Sequence, residues 1–309
     1  MPNVPRQPEL ALKRAASRAA RPGPTEPREA QPFLKWAGGK SQLLAQFEPF
    51  FPTTIRSYAE PFVGGGAVFF HLKARFPRMR AALHDNNPEL INCYTVVRDE
   101  VPALMKRLDE HLAEFRARGE TYYYETRRLH RPAGPVERAA RMIFLNKTCY
   151  NGLWRVNGKG EFNVPIGSYR PDRVSLYDPA NLVAASAALQ NLELKVQDFR
   201  ETINKAEKGD FLYIDPPYYP LSRTANFTSY TQEDFGPKEQ AELTKCVVEA
   251  AKRGVLIMLS NSDTPETRDL YSHLTVDSVQ ARRAVNCDGA KRGRISELVV
   301  LTYPKPHAR

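Results

Sequence analysis

The residues best suited to do chemistry stand together at Asp215-Pro216-Pro217-Tyr218. They follow Phe211-Leu212-Tyr213-Ile214, a short apolar, aromatic and β-branched run that reads as a buried strand stopped by proline. Asp215 then falls at the carboxyl end of a central strand, the edge of an open α/β sheet where ligands collect. A carboxylate, a backbone carbonyl fixed by proline and a nearby aromatic ring suit one task, gripping the amino edge of a flat heterocycle. Asp-Pro-Pro alone is more often a plain strand end with a solvated aspartate. The meaning of the turn therefore depends on what the rest of the chain brings to it.

Two upstream segments bring a ligand-binding pattern. In Phe33-Leu34-Lys35-Trp36-Ala37-Gly38-Gly39-Lys40-Ser41 the final Gly-Lys-Ser lacks the glycine at position 34 that a phosphate-binding loop requires, which disfavours ATP. Trp36 and Lys40 flank its glycine turn. Tyr58-Ala59-Glu60-Pro61-Phe62-Val63-Gly64-Gly65-Gly66-Ala67 reads as strand, glycine turn and helix start, the first βα turn of a doubly wound sheet. Phe69 stands where the dinucleotide fingerprint needs glycine, so a hydride-transfer cofactor is disfavoured too. The run Arg80 to His84 predicts a second strand ending at Asp85, about twenty residues past the glycines, where an acid can hold ribose hydroxyls. An adenosine-containing cofactor without a pyrophosphate fits this combination, and S-adenosylmethionine answers that description.

The surrounding chain supplies the elements that must position these groups. Its 309 residues carry a formal net charge of +10, which suits a polyanionic partner such as nucleic acid. No run approaches a membrane span and no signal peptide opens the chain, so a cytoplasmic protein is expected. The four cysteines lack CxxC spacing and companion histidines, which predicts reduced thiols and no metal. Residues 1–30, rich in Pro, Ala and Arg, read as a disordered basic tail. From residue 88 to about 146 the pattern is helical, with Leu104, Leu108, Leu112 and Phe115 at spacings of three and four, too long for a single crossover. It ends in a loop rich in Gly, Asn and aromatic residues, from Asn146 to Gly167. Helix and strand then alternate through strands at 192–196, 211–214, 255–259 and 297–303, with helices near 179–190 and 237–252. Ser260-Asn261-Ser262-Asp263 is expected to end the third of these strands. The pattern predicts an α/β fold, a Rossmann-like and mostly parallel doubly wound sheet. Nothing in the sequence points to an oligomeric state.

Taken in order, FLKWAGGK, EPFVGGG, YNGLWR, GEFNVP, DPPY and LSRTANFTSY resemble the DNA adenine-N6 methyltransferases of the Dam type from about Phe33 to Tyr303. The resemblance implies a catalytic domain over residues 31–87 and 175–309, with a mainly helical target-recognition insert over 88–174. It assigns Trp36, Lys40, Glu60, Phe62, Gly64, Gly66, Asp85, Asp198, Phe199 and Asp215 to S-adenosylmethionine. It assigns Lys35, Tyr150, Asn151, Leu153, Arg155 and Pro165 to double-stranded DNA, with GATC as the implied site. Thr148-Cys149 before Tyr150, and Trp154 and Val156 after it, depart from the GATC-reading pattern.

The implied chemistry is direct methyl transfer to N6 of a flipped adenine. Asp215 and the Pro216 carbonyl would take the two amino hydrogens while Tyr218 stacks on the base. An RNA adenine-N6 methyltransferase, or a basic DNA-binding module with a vestigial pocket, stays open as an alternative. Residues 222–227 are expected to close over a substrate. The basic loop from Arg282 to Arg294 is either a phosphate clamp or a solvated surface.

Overall fold

The computed structural model describes residues 28–130, 132–218, 235–282 and 294–306. Most of the expected basic tail, the 222–227 segment, Cys287 and the basic loop over 283–293 lie outside them. The described end of the tail is tied down. Ala30 is buried, Arg28 pairs with Asp178 at 2.6 Å, and Gln31 exchanges two backbone hydrogen bonds with the Asn181 amide.

The chain runs β1 (Ser57–Glu60), α1 (Ala67–Arg75), β2 (Arg80–Asp85), α2 (Pro88–Asp99), α3 (Val101–Arg118), α4 (Glu120–Arg128) and α5 (Pro135–Thr148). After the recognition loop come α6 (Pro179–Ala188), β3 (Glu193–Val196), α7 (Phe199–Lys205), β4 (Phe211–Ile214), α8 (Pro237–Lys252), β5 (Leu256–Ser262), α9 (Pro265–Leu270), β6 (Thr275–Arg282) and β7 (Arg294–Leu301). Several helices start on one sequence device, a side-chain acceptor followed by proline. Asn87 accepts from Glu89 and Leu90 amides before Pro88 can fix the first turn, and Asp178 and Thr264 serve α6 and α9 likewise.

The strands form one sheet in the order β3-β2-β1-β4-β5-β7-β6. β1, β2, β3, β4 and β5 pair in parallel, and β7 joins antiparallel between β5 and β6. Strand order therefore reverses direction between β1 and β4. That is the topological switch point, where the loops leaving two adjacent strands diverge to opposite faces and open a crevice. Glu60 ends β1 and Asp215 follows β4, so both acids meet there.

Side chains alternate between two cores. Phe211, Tyr213, Met258, Val299 and Leu301 pack on one face with α1 to α5, while Leu212, Ile214, Ile257, Leu259, Leu298 and Val300 pack on the other with α7 and α8. All four β4 residues are buried, as a central strand covered on both faces requires. The helices of the expected insert share the first core with the sheet: Leu104, Leu108, Phe115 and Phe144 belong to the same cluster as Leu83 and Phe69. Helix α2 packs against β2 and β3 as well as α5.

The strand expected to stop before Ser260 runs on through Ser262, because β7 pairs with Ser260, Asn261 and Ser262 and satisfies their backbone groups. Cys93, Cys149 and Cys246 are buried free thiols. Among the described residues no helix is long and apolar enough to cross a membrane.

Candidate active site

Asp215 accepts three hydrogen bonds from two side chains. Lys40 Nζ donates to Asp215 Oδ1 at 2.7 Å and Oδ2 at 2.6 Å, and also to the Gly38 carbonyl at 2.7 Å. Ser260 Oγ donates to Oδ1 at 3.3 Å and is itself 2.8 Å from the Tyr213 hydroxyl. Lys40 is only 3% exposed, so its ammonium has left water for this pairing. Burial raises the Asp215 pKa while Lys40 opposes the rise. The lysine read as a flank of the glycine turn is thus the direct partner of Asp215.

The proline turn is braced from behind. Gln240 on α8 donates to the Pro217 carbonyl at 2.8 Å and is oriented in turn by Asn261 Nδ2 at 3.1 Å. Tyr218 carries Lys40 Nζ 4.9 Å from its ring centroid.

Two further acids line the crevice. Glu60 is 2% exposed, with the Tyr58 hydroxyl 2.5 Å from Oε1. Burial pushes its pKa up to about 8, opposed by that hydroxyl and by the Phe69 amide in the first turn of α1. Asp85 accepts from the Gly64 amide at 3.3 Å and the Asn87 amide at 3.0 Å, and burial lifts it to about 6. Among the described residues neither Glu60 nor Asp85 has an ion-pair partner.

The glycine turn between them is a close-packed backbone surface. Gly64 (φ 48°) and Gly66 (φ 66°) both adopt left-handed conformations. A Cβ on Gly64 would lie 2.8 Å from the Trp36 ring, and one on Gly66 would lie 2.6 Å from the Tyr94 hydroxyl. Tyr94 also donates to the Gly64 carbonyl at 3.0 Å. Phe62 stacks on Phe199 at 5.5 Å, and Phe235 closes the group edge-on. Asp198 caps α7 through the Arg200 amide and pairs with the Arg200 guanidinium at 3.0 Å.

These residues fit S-adenosylmethionine on chemical grounds. Asp215, Glu60 and Asp85 all carry raised pKa values, and among the described residues only Asp215 of the three is paired with a lysine, which leaves room for a cationic ligand. A left-handed glycine turn packed against Trp36 and an aromatic pair flank them.

The recognition loop is assembled differently. Asn146, fully buried at the end of α5, accepts from the Lys35 amide at 2.8 Å and donates to the carbonyls of Lys35 at 2.6 Å and Gly152 at 3.0 Å. It clamps the Phe33–Lys40 segment to the Tyr150-Asn151-Gly152 turn. Asn151 is left-handed (φ 55°), Tyr150 is 47% exposed, and the Tyr150 amide donates to the Pro165 carbonyl at 2.9 Å. Arg155 Nε donates to Asn163 Oδ1 at 2.8 Å across a small hairpin. Lys35 Nζ reaches the Tyr169 hydroxyl at 3.3 Å. Lys35, Tyr150, Asn151, Leu153, Arg155 and Pro165, scattered over 131 positions of sequence, therefore belong to one bonded assembly. Tyr123, by contrast, packs inside the helices and donates to the Val164 carbonyl.

Sequence reading missed Asn146 as a clamp and Glu297 on β7, which lies 3.6 Å from Lys40 Nζ. Glu297 shares the alternation of Val299 and Leu301, and an acid in that inward register was the available signal.

A doubly wound sheet with acids gathered at its switch point defines a ligand-binding α/β enzyme. The family described as D12 class N6 adenine-specific DNA methyltransferase matches residues 36–285. The chain belongs to that family and is an adenine-specific DNA methyltransferase. It is 41% identical to the type II methyltransferase M.MjaIII of Methanocaldococcus jannaschii over 89% of this chain and 100% of the relative. It is 38% identical to the type II methyltransferase M1.LlaDCHI of Lactococcus lactis (88% and 95%) and 36% identical to the DNA adenine methylase of Vibrio cholerae (88% and 96%).

Proposed function

We propose that the chain transfers the methyl group of S-adenosylmethionine to N6 of an adenine flipped out of duplex DNA, with GATC as its site. The observation that carries this reading is the gathering of Asp215, Glu60 and Asp85 at the carboxyl ends of three adjacent parallel strands, with Lys40 paired to Asp215. S-Adenosylmethionine, when bound, supplies an electrophilic methyl group on a sulfonium sulfur.

Trp36, Lys40, Glu60, Phe62, Gly64, Gly66, Asp85, Asp198, Phe199 and Asp215 are the residues assigned to hold it. The N6 lone pair of adenine is delocalised into the ring, so it must be localised before it can attack. Asp215 accepts one amino hydrogen and the Pro216 carbonyl the other, which stabilises positive charge as it develops on N6. Among the described residues no donor reaches the Pro216 carbonyl, whereas Pro217 is occupied by Gln240. Tyr218 stacks on the extruded base and offsets part of the few kcal/mol that flipping costs.

The GATC assignment rests on the likeness of Leu153, Arg155 and Pro165 to base-reading positions and of Tyr150 and Asn151 to positions that probe or wedge into the opened base step, with Lys35 as a further DNA contact. Residues 88–174 are proposed as the recognition part and 31–87 with 175–309 as the catalytic part. They divide the labour around a shared core.

The test is purified protein with duplex DNA and methyl-labelled cofactor, read by N6-methyladenine detection and methylation-sensitive sequencing. Label on N6 within GATC is expected. Methylation confined to another sequence would overturn the site alone. Preference for RNA over duplex DNA, or no heat on titration with S-adenosylmethionine, would overturn the reading itself.

A further inference from the structure

Two shielded polar atoms beside Asp215 lack hydrogen-bond partners, Glu297 Oε1 and the Tyr218 hydroxyl. The two side chains are close enough to shift each other's titration. Glu297 is 6% exposed, and a carboxylate sealed in a core is costly unless it is paired. Among the described residues its ion-pair partner is Lys40. At 3.6 Å from Glu297 Oε1 that ammonium stands just outside hydrogen-bond reach, while it sits 2.6 Å from Asp215 Oδ2. The two distances differ by about one ångström.

The reading of Asp215 as acceptor for N6 has a consequence for Lys40. In this structure both Asp215 oxygens accept from the lysine and Oδ1 accepts from Ser260 as well, so the incoming amino hydrogen competes with the lysine for Asp215. Stripping an ammonium of its carboxylate inside a protein costs several kcal/mol unless another acceptor takes over. Glu297 is within a short movement and has an oxygen to spare.

We propose that Glu297 is a positioning residue that receives the Lys40 ammonium when the target amino group takes its place on Asp215. This rests on the function proposed above. Lys40 thereby exchanges one carboxylate for another over a short path, and Asp215 is freed without leaving a bare buried charge. Only ionised Glu297 can accept the lysine fully. Protonated Glu297 leaves Lys40 on Asp215 and holds the site closed.

The exchange gives the reaction a pH dependence. Burial, the largest cause, pushes Glu297 up to about 7, with Lys40 opposing and Asp215 adding to the rise. The other titratable groups facing it are Tyr218 beside Asp215 and Tyr213 on β4. Its register neighbours, Ser262 on β5 and Val279 on β6, bring no charge. Glu60 and Asp85 titrate nearby, so the informative quantity is the wild-type pH profile relative to that of a Glu297 variant.

The experiment measures single-turnover methyl transfer to duplex adenine from pH 6 to 9 for the full chain and for E297Q, E297L and E297D. Leucine is included because replacing a buried charge with an apolar group of similar size often preserves folding. E297Q and E297L are expected to be about tenfold slower or more at pH 8, and to lose the rise in rate centred near pH 7. E297D is expected to keep that rise. Wild-type rates with an unchanged profile in either neutral variant would overturn the proposal, as would equal slowing at every pH in all three, which marks a merely structural role. Absence of N6 transfer by the wild-type protein would instead strike the function on which the proposal rests.

Discussion

The crevice at the ends of β1, β2 and β4 and the recognition loop at the end of α5 are built on opposite physical plans. The crevice is made of buried ionisable groups: Lys40 at 3% exposure, Glu60 at 2% and Glu297 at 6%, with carboxyl pKa values driven up by desolvation. The loop residues proposed to meet DNA have exposed or half-buried side chains, carried on a backbone fixed by the buried amide of Asn146. Chemistry needs groups whose protonation is tuned, and water must be excluded for that. Reading a sequence needs side chains free to meet base edges, so only their backbone is held. The two regions nevertheless touch, because Lys35 belongs to the loop assembly and Lys40 to the crevice, five residues along the same segment.

Removing the reactive carboxylate gives the sharpest break. Asp215→Ala is expected to lower single-turnover transfer by about 10³-fold or more, in line with the loss of a preorganised charge-stabilising group. Duplex binding, measured by fluorescence anisotropy, is expected to stay within about threefold of wild type. Loss of DNA binding together with activity would erase the division between the two regions.

Asn146→Ala attacks the loop from beneath. It leaves two backbone carbonyls and an amide unpaired in a buried place, each worth about 1–3 kcal/mol. A lower melting temperature and relaxed sequence preference are expected, the latter read by sequencing methylated DNA. Relaxed preference with no change in melting would show that the clamp orders the loop without supporting the fold.

Glu60→Gln probes the buried charge alone. An acid whose folded pKa is about 8 against an unfolded value near 4.5 binds more protons when folded, so it costs stability progressively as pH rises between those values. The melting temperature of Glu60→Gln minus that of wild type is therefore expected to grow from pH 5 to pH 8, reaching about 2 °C or more. A flat difference would mean that Glu60 is ionised and paired in solution.

The smallest effect is expected from Arg155→Ala. Discrimination at one base pair is expected to fall by about 1–3 kcal/mol, with transfer at the preferred site nearly intact. Competition between matched and single-mismatch duplexes measures it. A uniform loss across all duplexes would instead make Arg155 a phosphate contact.

Much of this was legible along the chain because it depends on local rules. Phe211 to Ile214 announced a buried strand by its unbroken apolarity, and Asn87-Pro88 and Asp178-Pro179 announced helix starts. The glycines at 64 and 66 announced a turn that other side chains cannot enter. The order of the motifs carried the family resemblance that the comparisons bear out. What the sequence could not determine by itself was which distant groups share one charge. Lys40 and Asp215 lie 175 positions apart, and their pairing exists only because the segment before β1 folds over the β4 turn at the switch point. Glu297 entered the same cluster because β7 runs antiparallel between β5 and β6, which sets Glu297 beside Lys40. Periodicity assigns a side chain to a face. Only the packed sheet decides what stands across from it, and in a buried site that neighbour sets the charge.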